Sequence, residues 1–469
     1  MRIHPAAARF CAAAVLGATA CTTVQTSPAR TFVTVDAPII VLTNVRVIDG
    51  TGTPPRAGQT MVIRDGTIEA VGDSRAVTAP DGARAIDLSG RTIVPGYVML
   101  HEHLFGTPDG NGHVSTPHSF APLYLAGGST TIRTGGTISL AADARVREAI
   151  ERGDMAGPDI DLTSGYLHAP GLLEWTSGEE RGRRLVAQWS AEGARSFKAY
   201  ESFGRDELRG ALEEAHGRGL RLTGHLCAVT FAEAAALGID NLEHGLLVAS
   251  DFVNGKRADE CPPGVEVLEG ILAASWSSIQ TLIGKLVARN VAITSTLPVF
   301  ETYVPGRAPA TAMALELMAP SARARYERRR AEVDASGAVV WGDLLRKEMA
   351  FERRFVRAGG LLVAGTDPTG RGGLVAGFSN QRAIQLLVEA GFTVPEAIRI
   401  ATLNGARYLG REDRIGSVAT GKQADLVVVR GDPEQRLSAI EEVEIVFKKG
   451  VGYDPRALME SVRGQVYAR

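Results

Sequence analysis

Two histidines stand one residue apart in the stretch VPGYVMLHEHLF, Val94 to Phe105, at the end of an apolar run. If the run is a β-strand, His101 and His103 project from one face with Cα atoms about 7 Å apart, a spacing that lets two imidazoles close on one metal ion. By itself the pair has a plainer reading, as core or surface histidines beside a turn, so the assignment depends on whether other ligands answer it. Four residues do: Lys198 in SFKAY, His225 in LTGHL, His244 in NLEHG and Asp367 in VAGTDP, each where a short apolar run ends. Each also has a duller alternative, since a lone histidine is more often a hydrogen-bonded core residue, a lysine can snorkel out of a strand, and aspartate before proline starts turns. Together they form a set of N and O donors able to hold two divalent cations.

The fold must bring these residues together. From Ile39, the runs IIVLTNVRVIDGTG, QTMVIRDGTIEAVG and RAIDLSGRTIVPG are short, β-branched and ended by Gly or Asp-Gly, the signature of antiparallel hairpins. After Gly96, apolar runs alternate with segments of helical period such as DELRGALEEAHGRG, which predicts βα units and a parallel sheet. Strand ends are expected near Leu100, Arg133, Ser164, Ala199, His225, Glu243, Thr296 and Gly365. Eight such strands make a (β/α)8 TIM barrel, whose catalytic groups sit at C-terminal strand ends, and every candidate falls at one. RIGSVATGKQADLVVVRGD and EEVEIVFKKG return to short strands and would complete the sheet begun at Ile39, because neither part alone has enough strands for stability. The expected chain is α/β: a leader over 1–21, a polar tether over 22–37, a small β-sandwich domain built from 38–95 and 413–452, the barrel over 96–412, and a tail helix over 453–469. RARYERRR, Arg323 to Arg330, reads as a solvated helix face between strands seven and eight.

The net charge of −2 offers nothing basic to recruit nucleic acid, and no internal repeat or membrane-spanning run interrupts the chain. Arg2 and Arg9, the short apolar run CAAAVLGATA and the small residues before Cys21 fit an export signal. Two outcomes are open: a lipoprotein anchored to a membrane through lipidated Cys21, or ordinary cleavage to a soluble periplasmic protein. Of the remaining cysteines, Cys227 and Cys261, nothing in the sequence fixes their separation, and they are expected to stay unpaired.

As a set, NVRVIDG, VPGYVMLHEHL, GSTTIR, SFKAY, GH, EHG, GTD, LLVEAGFTVPEAIRIATLNGARYLG and IGSVATGKQADLVVV resemble the amidohydrolase superfamily, in its imidazolonepropionase-like and prolidase-like metal-dependent branch, over nearly everything after Ile39. The resemblance implies that His101, His103 and Asp367 bind the more buried of two divalent metal ions, that His225 and His244 bind the second, and that Lys198, carboxylated to N6-carboxylysine, bridges them. Zinc suits the donors best, with manganese or cobalt able to serve. Two metals sharing a hydroxide lower its pKa towards neutral and polarise the scissile carbonyl, while Asp367 moves the proton to the leaving amine as the catalytic base. Three departures stand out. Met99 occupies the position two before His101 where an aspartate is common, so a supporting carboxylate is expected to be missing; Thr134 follows Arg133 where an aspartate is frequent; and Asn380 replaces a frequent histidine.

For substrate, Arg133, Tyr166, His168, Tyr200 and Tyr303 are the candidates to face the pocket, Tyr200 because it shares a strand face with Lys198. They would form a cationic and phenolic rim for the carboxylate of a small-molecule substrate, such as an Xaa-Pro-like dipeptide or an N-acyl amino acid. The insert VNGKRADECPPG, Val253 to Gly264, suits a lid. The expected function is hydrolysis of an amide C–N bond. The alternatives are hydrolysis of cyclic amides, lactones or other esters on the same metals, and a non-catalytic metal-binding surface lipoprotein. Export speaks against the cytoplasmic enzyme of histidine degradation, and self-association into a homo-oligomer stays open.

Overall fold

The computed structural model describes residues 27–107, 113–167, 176–307, 309–369 and 372–468; the leader with Cys21, and His168, lie outside them. Eight parallel strand positions follow in chain order: Tyr97–Glu102, Ser129–Thr134, Asp159–Asp161 continued by Thr163–Tyr166, Ser196–Ala199, Arg221–Gly224, Asn241–Glu243, Ala292–Ser295 and Leu362–Ala364. Their ends fall within two residues of the positions expected from the apolar runs. Helices separate them, and the third position is split at Leu162, its first half pairing with the second strand and its second half with the fourth. The ladders among the described residues are therefore two, of three and six strands, rather than one closed ring. Beyond the eighth strand, the N–H groups of Thr366 and Asp367 donate to the carbonyl of His101 in the first, at 3.1 and 3.0 Å. This is an α/β architecture of the TIM-barrel class.

The helices carry the start signals that their sequences encode. Thr230 caps Phe231–Leu237 by accepting from Glu233 N, and the Glu233 carboxylate accepts from Thr230 N in return. Val340–Arg357 buries Leu344, Leu345, Met349, Phe351 and Phe355 along one stripe, and the RARYERRR segment lies on Pro320–Ser336 between the seventh and eighth strands. Among the described residues no single helix is long and apolar enough to cross a membrane.

Segments from both ends of the chain join in one nine-stranded sheet. The junction is Leu426–Arg430, antiparallel to Arg91–Pro95. Its run LVVV is apolar throughout because both faces are buried. Leu426 and Val428 belong to the apolar cluster of this sheet, with Ile40, Leu42, Met61 and Phe447, whereas Val427 and Val429 pack into the barrel core. The tail helix expected over 453–469 is confined to Pro455–Glu460; turns follow, and Tyr467 is buried with its Oη donating to Leu374 O at 2.8 Å.

One expectation is overturned outright. Cys227 and Cys261 form a disulfide, their Cα atoms 4.8 Å apart. The sequence could not show this because the loop after the fifth strand and the insert after the sixth approach only in three dimensions. The same bond corrects the lid reading. Val253 to Gly264 is tied to the neighbouring loop by the disulfide and by Lys256 Nζ donating to Ala228 O at 2.7 Å, and to the start of the helix Arg205–Gly217 by the Arg205–Asp259 pair at 3.0 Å. Closing a loop across a separation of 34 residues should stabilise the chain by about 3–4 kcal/mol. Cys227→Ser/Cys261→Ser should accordingly lower the urea midpoint, and dithiothreitol should do the same to the wild type but not to the variant. Identical midpoints for all of these samples would show that the bond does not form in solution.

Candidate metal centre

Six of the candidate residues line one cavity of about 190 Å³: His101, His103, Lys198, His225, His244 and Asp367. They arrive there because each ends its strand or follows it by a few residues. Space for the first imidazole is made by two glycines, since a Cβ on Gly135 would lie 2.2 Å from His101 Cδ2 and one on Gly365 would lie 2.5 Å from His101 Cβ. His101, His103, Lys198 and His244 are almost fully buried, whereas His225 is partly open.

The imidazoles are oriented from behind. His101 Nδ1 donates to Glu243 Oε2 at 2.7 Å, His103 Nδ1 donates to the Gly136 carbonyl at 3.0 Å, and His244 Nδ1 is bonded to Thr296 Oγ1 at 2.9 Å. A carbonyl only accepts and a carboxylate mainly accepts, so on His101 and His103 these partners place the proton on Nδ1 and leave the Nε2 lone pair facing the cavity, while the Thr296 hydroxyl holds His244 in place. The Nε2 atoms of His101, His103 and His244 lie 3.9, 3.3 and 3.9 Å from the Asp367 carboxylate. His225 completes the row, its ring centroid 4.7 Å from that of His244 and its Nε2 3.4 Å from Glu201 Oε1.

The residues present fit a divalent cation. One ligand atom from each of His101, His103 and Asp367 lies within 4.8 Å of the others. The buried atoms Lys198 Nζ and His244 Nε2 have no hydrogen-bond partner among the described residues. Burial pushes the His101 imidazolium down to about 4 and that of His244 well below its usual range, so both rings are neutral ligands near pH 7. Burial alone would raise Asp367, but His101, His103 and His244 outweigh it and hold the carboxyl well below its ordinary value.

The support beneath the cavity is what sequence reasoning missed. Glu243 is fully buried; besides His101 it accepts from Arg133 Nη2 at 2.7 Å and from Thr223 Oγ1, and Lys198 Nζ stands 4.0 Å away. Glu102 points the other way from its flanking histidines, accepting from Thr366 Oγ1 at 2.5 Å and Asn380 Nδ2 at 2.9 Å. Burial raises it to about 8. The signal was present, as charged residues inside otherwise apolar strands that sit directly beside candidate ligands.

Two expectations are corrected here. Arg133 does not face the cavity: it is fully buried beneath it, with Nε donating to Leu100 O at 2.8 Å and Nη2 held by Glu243, so it cannot touch substrate there. The cavity rim among the described residues is accordingly phenolic and apolar, formed by Tyr166, Tyr200, Tyr303, Leu247 and Val299. Asn380, which stands where a histidine is frequent, is a buried support for Glu102. Finally, Met99 does not leave the site without a supporting carboxylate, because Glu243 supplies one to His101 from the sixth strand.

Residues 92–451 match the amidohydrolase family, and the chain belongs to it: it is a hydrolase of C–N bonds in a metal-dependent family. The imidazolonepropionase of Streptomyces griseus subsp. griseus is 26% identical over 422 residues, covering 86% of this chain and 92% of that protein. Among solved structures, phenylurea hydrolase B shares the fold with a TM-score of 0.68 at 21% identity, over 92% of this chain and 100% of that one. A Xaa-Pro dipeptidase with bound methionine in the active site shares it with a TM-score of 0.65 at 19% identity, over 89% and 100%.

Because Glu243 fixes the orientation of His101, Glu243→Gln should weaken metal affinity by roughly 10–100-fold. Competition against a chromophoric chelator reads this directly. Wild-type affinity in a folded variant would show that Glu243 serves only Arg133.

Proposed function

We propose that the chain is a binuclear metal-dependent amidohydrolase cleaving an amide C–N bond of a small substrate. The observation that carries this reading is the convergence of three Nε2 atoms, each fixed from behind, on the Asp367 carboxylate. His101, His103 and Asp367 would hold the more buried ion, His225 and His244 the second, and Lys198 as N6-carboxylysine would reach both. When bound, the ions, zinc foremost, supply Lewis acidity and an activated water. The chain's own residues do the rest. Asp367, kept ionised by the histidines around it, accepts the proton of the attacking water and delivers it to the leaving nitrogen. Tyr166 and Tyr200, whose rings pack 4.8 Å apart, and Tyr303 offer phenol donors to the substrate, and Leu247 and Val299 keep the cavity dry. On Lys198, burial lowers the ammonium to about 8, leaving a share of neutral amine at physiological pH. That amine attacks CO₂ and releases one proton, and the resulting carbamate is an anion where a lysine cation would repel metal.

Phenols that donate to a carboxylate support an Xaa-Pro-like dipeptide or an N-acyl amino acid as substrate, and the fold shared with a Xaa-Pro dipeptidase points the same way. The kinship with imidazolonepropionase over 86% of the chain favours a second reading, a cyclic amide or lactone opened at the same site. Turnover of the zinc-loaded protein on Xaa-Pro dipeptides, N-acyl amino acids and lactones separates the two. The retained Asp367 argues against a non-catalytic surface protein. The same proposal takes the eight strands as one closed (β/α)8 barrel over 96–412 and the nine-stranded sheet as a β-sandwich domain from 38–95 and 413–452. It also takes residues 1–21 as an export signal ending at a lipidated Cys21, which the Cys227–Cys261 disulfide supports by pointing to an oxidising compartment.

Protein produced with zinc and bicarbonate should contain about two metal equivalents. Lys198→Ala should lose metal and activity together, and uptake by the wild type should rise from pH 6 to 8 as neutral amine accumulates. One equivalent or none in the wild type would end the binuclear reading.

Asp367→Asn keeps the size and one oxygen but accepts no proton, so it should retain much of the metal and lose on the order of 10²–10⁴-fold in kcat. Metal analysis and steady-state kinetics on one preparation decide it. Turnover near wild type with both ions bound would place the base elsewhere, with His168 next to be tested.

In a bacterial host, labelled palmitate should enter the wild-type chain and not Cys21→Ser. A processed wild-type chain without label would mean ordinary cleavage.

A further inference from the structure

At the end of the barrel where the strands begin, away from the metal centre, two adjoining cavities of about 290 and 300 Å³ share Asp161, Arg195 and Arg411. The second is lined by Arg133, Arg195, Arg221 and Arg411, with Asp161 as the single carboxylate; with Arg133 paired to Glu243, this leaves an excess of two positive charges. Arginines on a solvated surface normally find carboxylates or water, but these are arranged differently. Arg133 is fully buried, and although its Nε and Nη2 are bonded, its Nη1 has no partner among the described residues. Tyr408 is buried against Arg133 and Arg221, whose guanidinium carbons lie 5.2 and 4.7 Å from its ring centroid, and its Oη also lacks a partner among the described residues. Asp161 is engaged by Arg411 at 2.8 Å, and Arg195 makes no ion pair among the described residues.

We propose that this cavity is a binding site for a small, multiply charged oxyanion of the phosphate type, separate from the metal centre. Guanidinium groups present paired N–H donors that match phosphate oxygens, and here several such groups line a space large enough for phosphate or a small phosphomonoester. A net positive, partly enclosed cavity also concentrates multivalent anions over chloride. Arg133 joins the two ends of the barrel. Its Nη2 holds Glu243, which holds His101, while its Nη1 is the orphaned donor, so an anion on that donor acts on the guanidinium that steadies the metal centre.

The test is calorimetric titration of the full, metal-loaded chain with inorganic phosphate at constant ionic strength. The wild type should show saturable binding. Arg195→Gln/Arg411→Gln should weaken it at least about tenfold, and Arg221→Gln, which leaves the Asp161–Arg411 pair intact, should weaken it in the same direction. Circular dichroism checks folding; if the double variant does not fold, Arg221→Gln decides alone. Absence of saturable binding up to about 50 mM phosphate overturns the proposal. So does equal affinity in the wild type and the folded variants, which would assign the phosphate to the metal centre.

Discussion

The metal centre is organised around a carboxylate that never touches the cavity. Glu243 is buried without exposure, and its two oxygens take His101, Arg133 and Thr223, with Lys198 4.0 Å off. Burial would drive such a carboxyl to its neutral form, but the charges of Lys198 and Arg133 and the hydrogen bond from His101 outweigh it and hold the group well below its ordinary value. Removing one partner of a buried pair of this kind costs roughly 3–5 kcal/mol, because the remaining charge is stranded away from water. The same buried pair therefore tolerates the loss of neither partner and fixes the proton on His101 Nδ1. Stability and ligand geometry cannot be varied independently here.

Position comes at a backbone cost. His244 and Asp367 are both non-glycine residues in the left-handed region, with φ of +65° and +46°. Such conformations are held only where surrounding contacts outweigh the strain, typically of order 1–3 kcal/mol each. Those contacts are visible: His244 N donates to Thr294 O at 3.1 Å, and Asp367 N donates to His101 O at 3.0 Å. The second bond runs directly between two residues that face each other across the cavity. Reversing the chain sharply at a strand end turns these side chains inward while the strand itself continues the ladder.

What could be read from the sequence and what could not divide along a physical line. The strand positions and the six candidate residues were legible because a short apolar run ending in a polar residue is a local pattern, and the barrel reading predicts where such ends meet. Glu243 and Glu102 stood in plain view inside NLEHG and LHEHL, yet strand alternation says only that they face away from their neighbours, not which distant group receives them. The true place of Arg133 was hidden for the same reason. A cation at a strand end suggests a substrate contact until its partner, 110 positions along the chain, is known to lie beneath the site. The disulfide needed the same three-dimensional knowledge, its two loops following different strands.

Met99 shows that the carboxylate supporting a ligand need not come from the strand that carries the ligand. It lies two residues before His101, in the apolar core and without exposure, so at that position the first strand contributes packing volume, while Glu243 of the sixth strand supplies the carboxylate that orients His101.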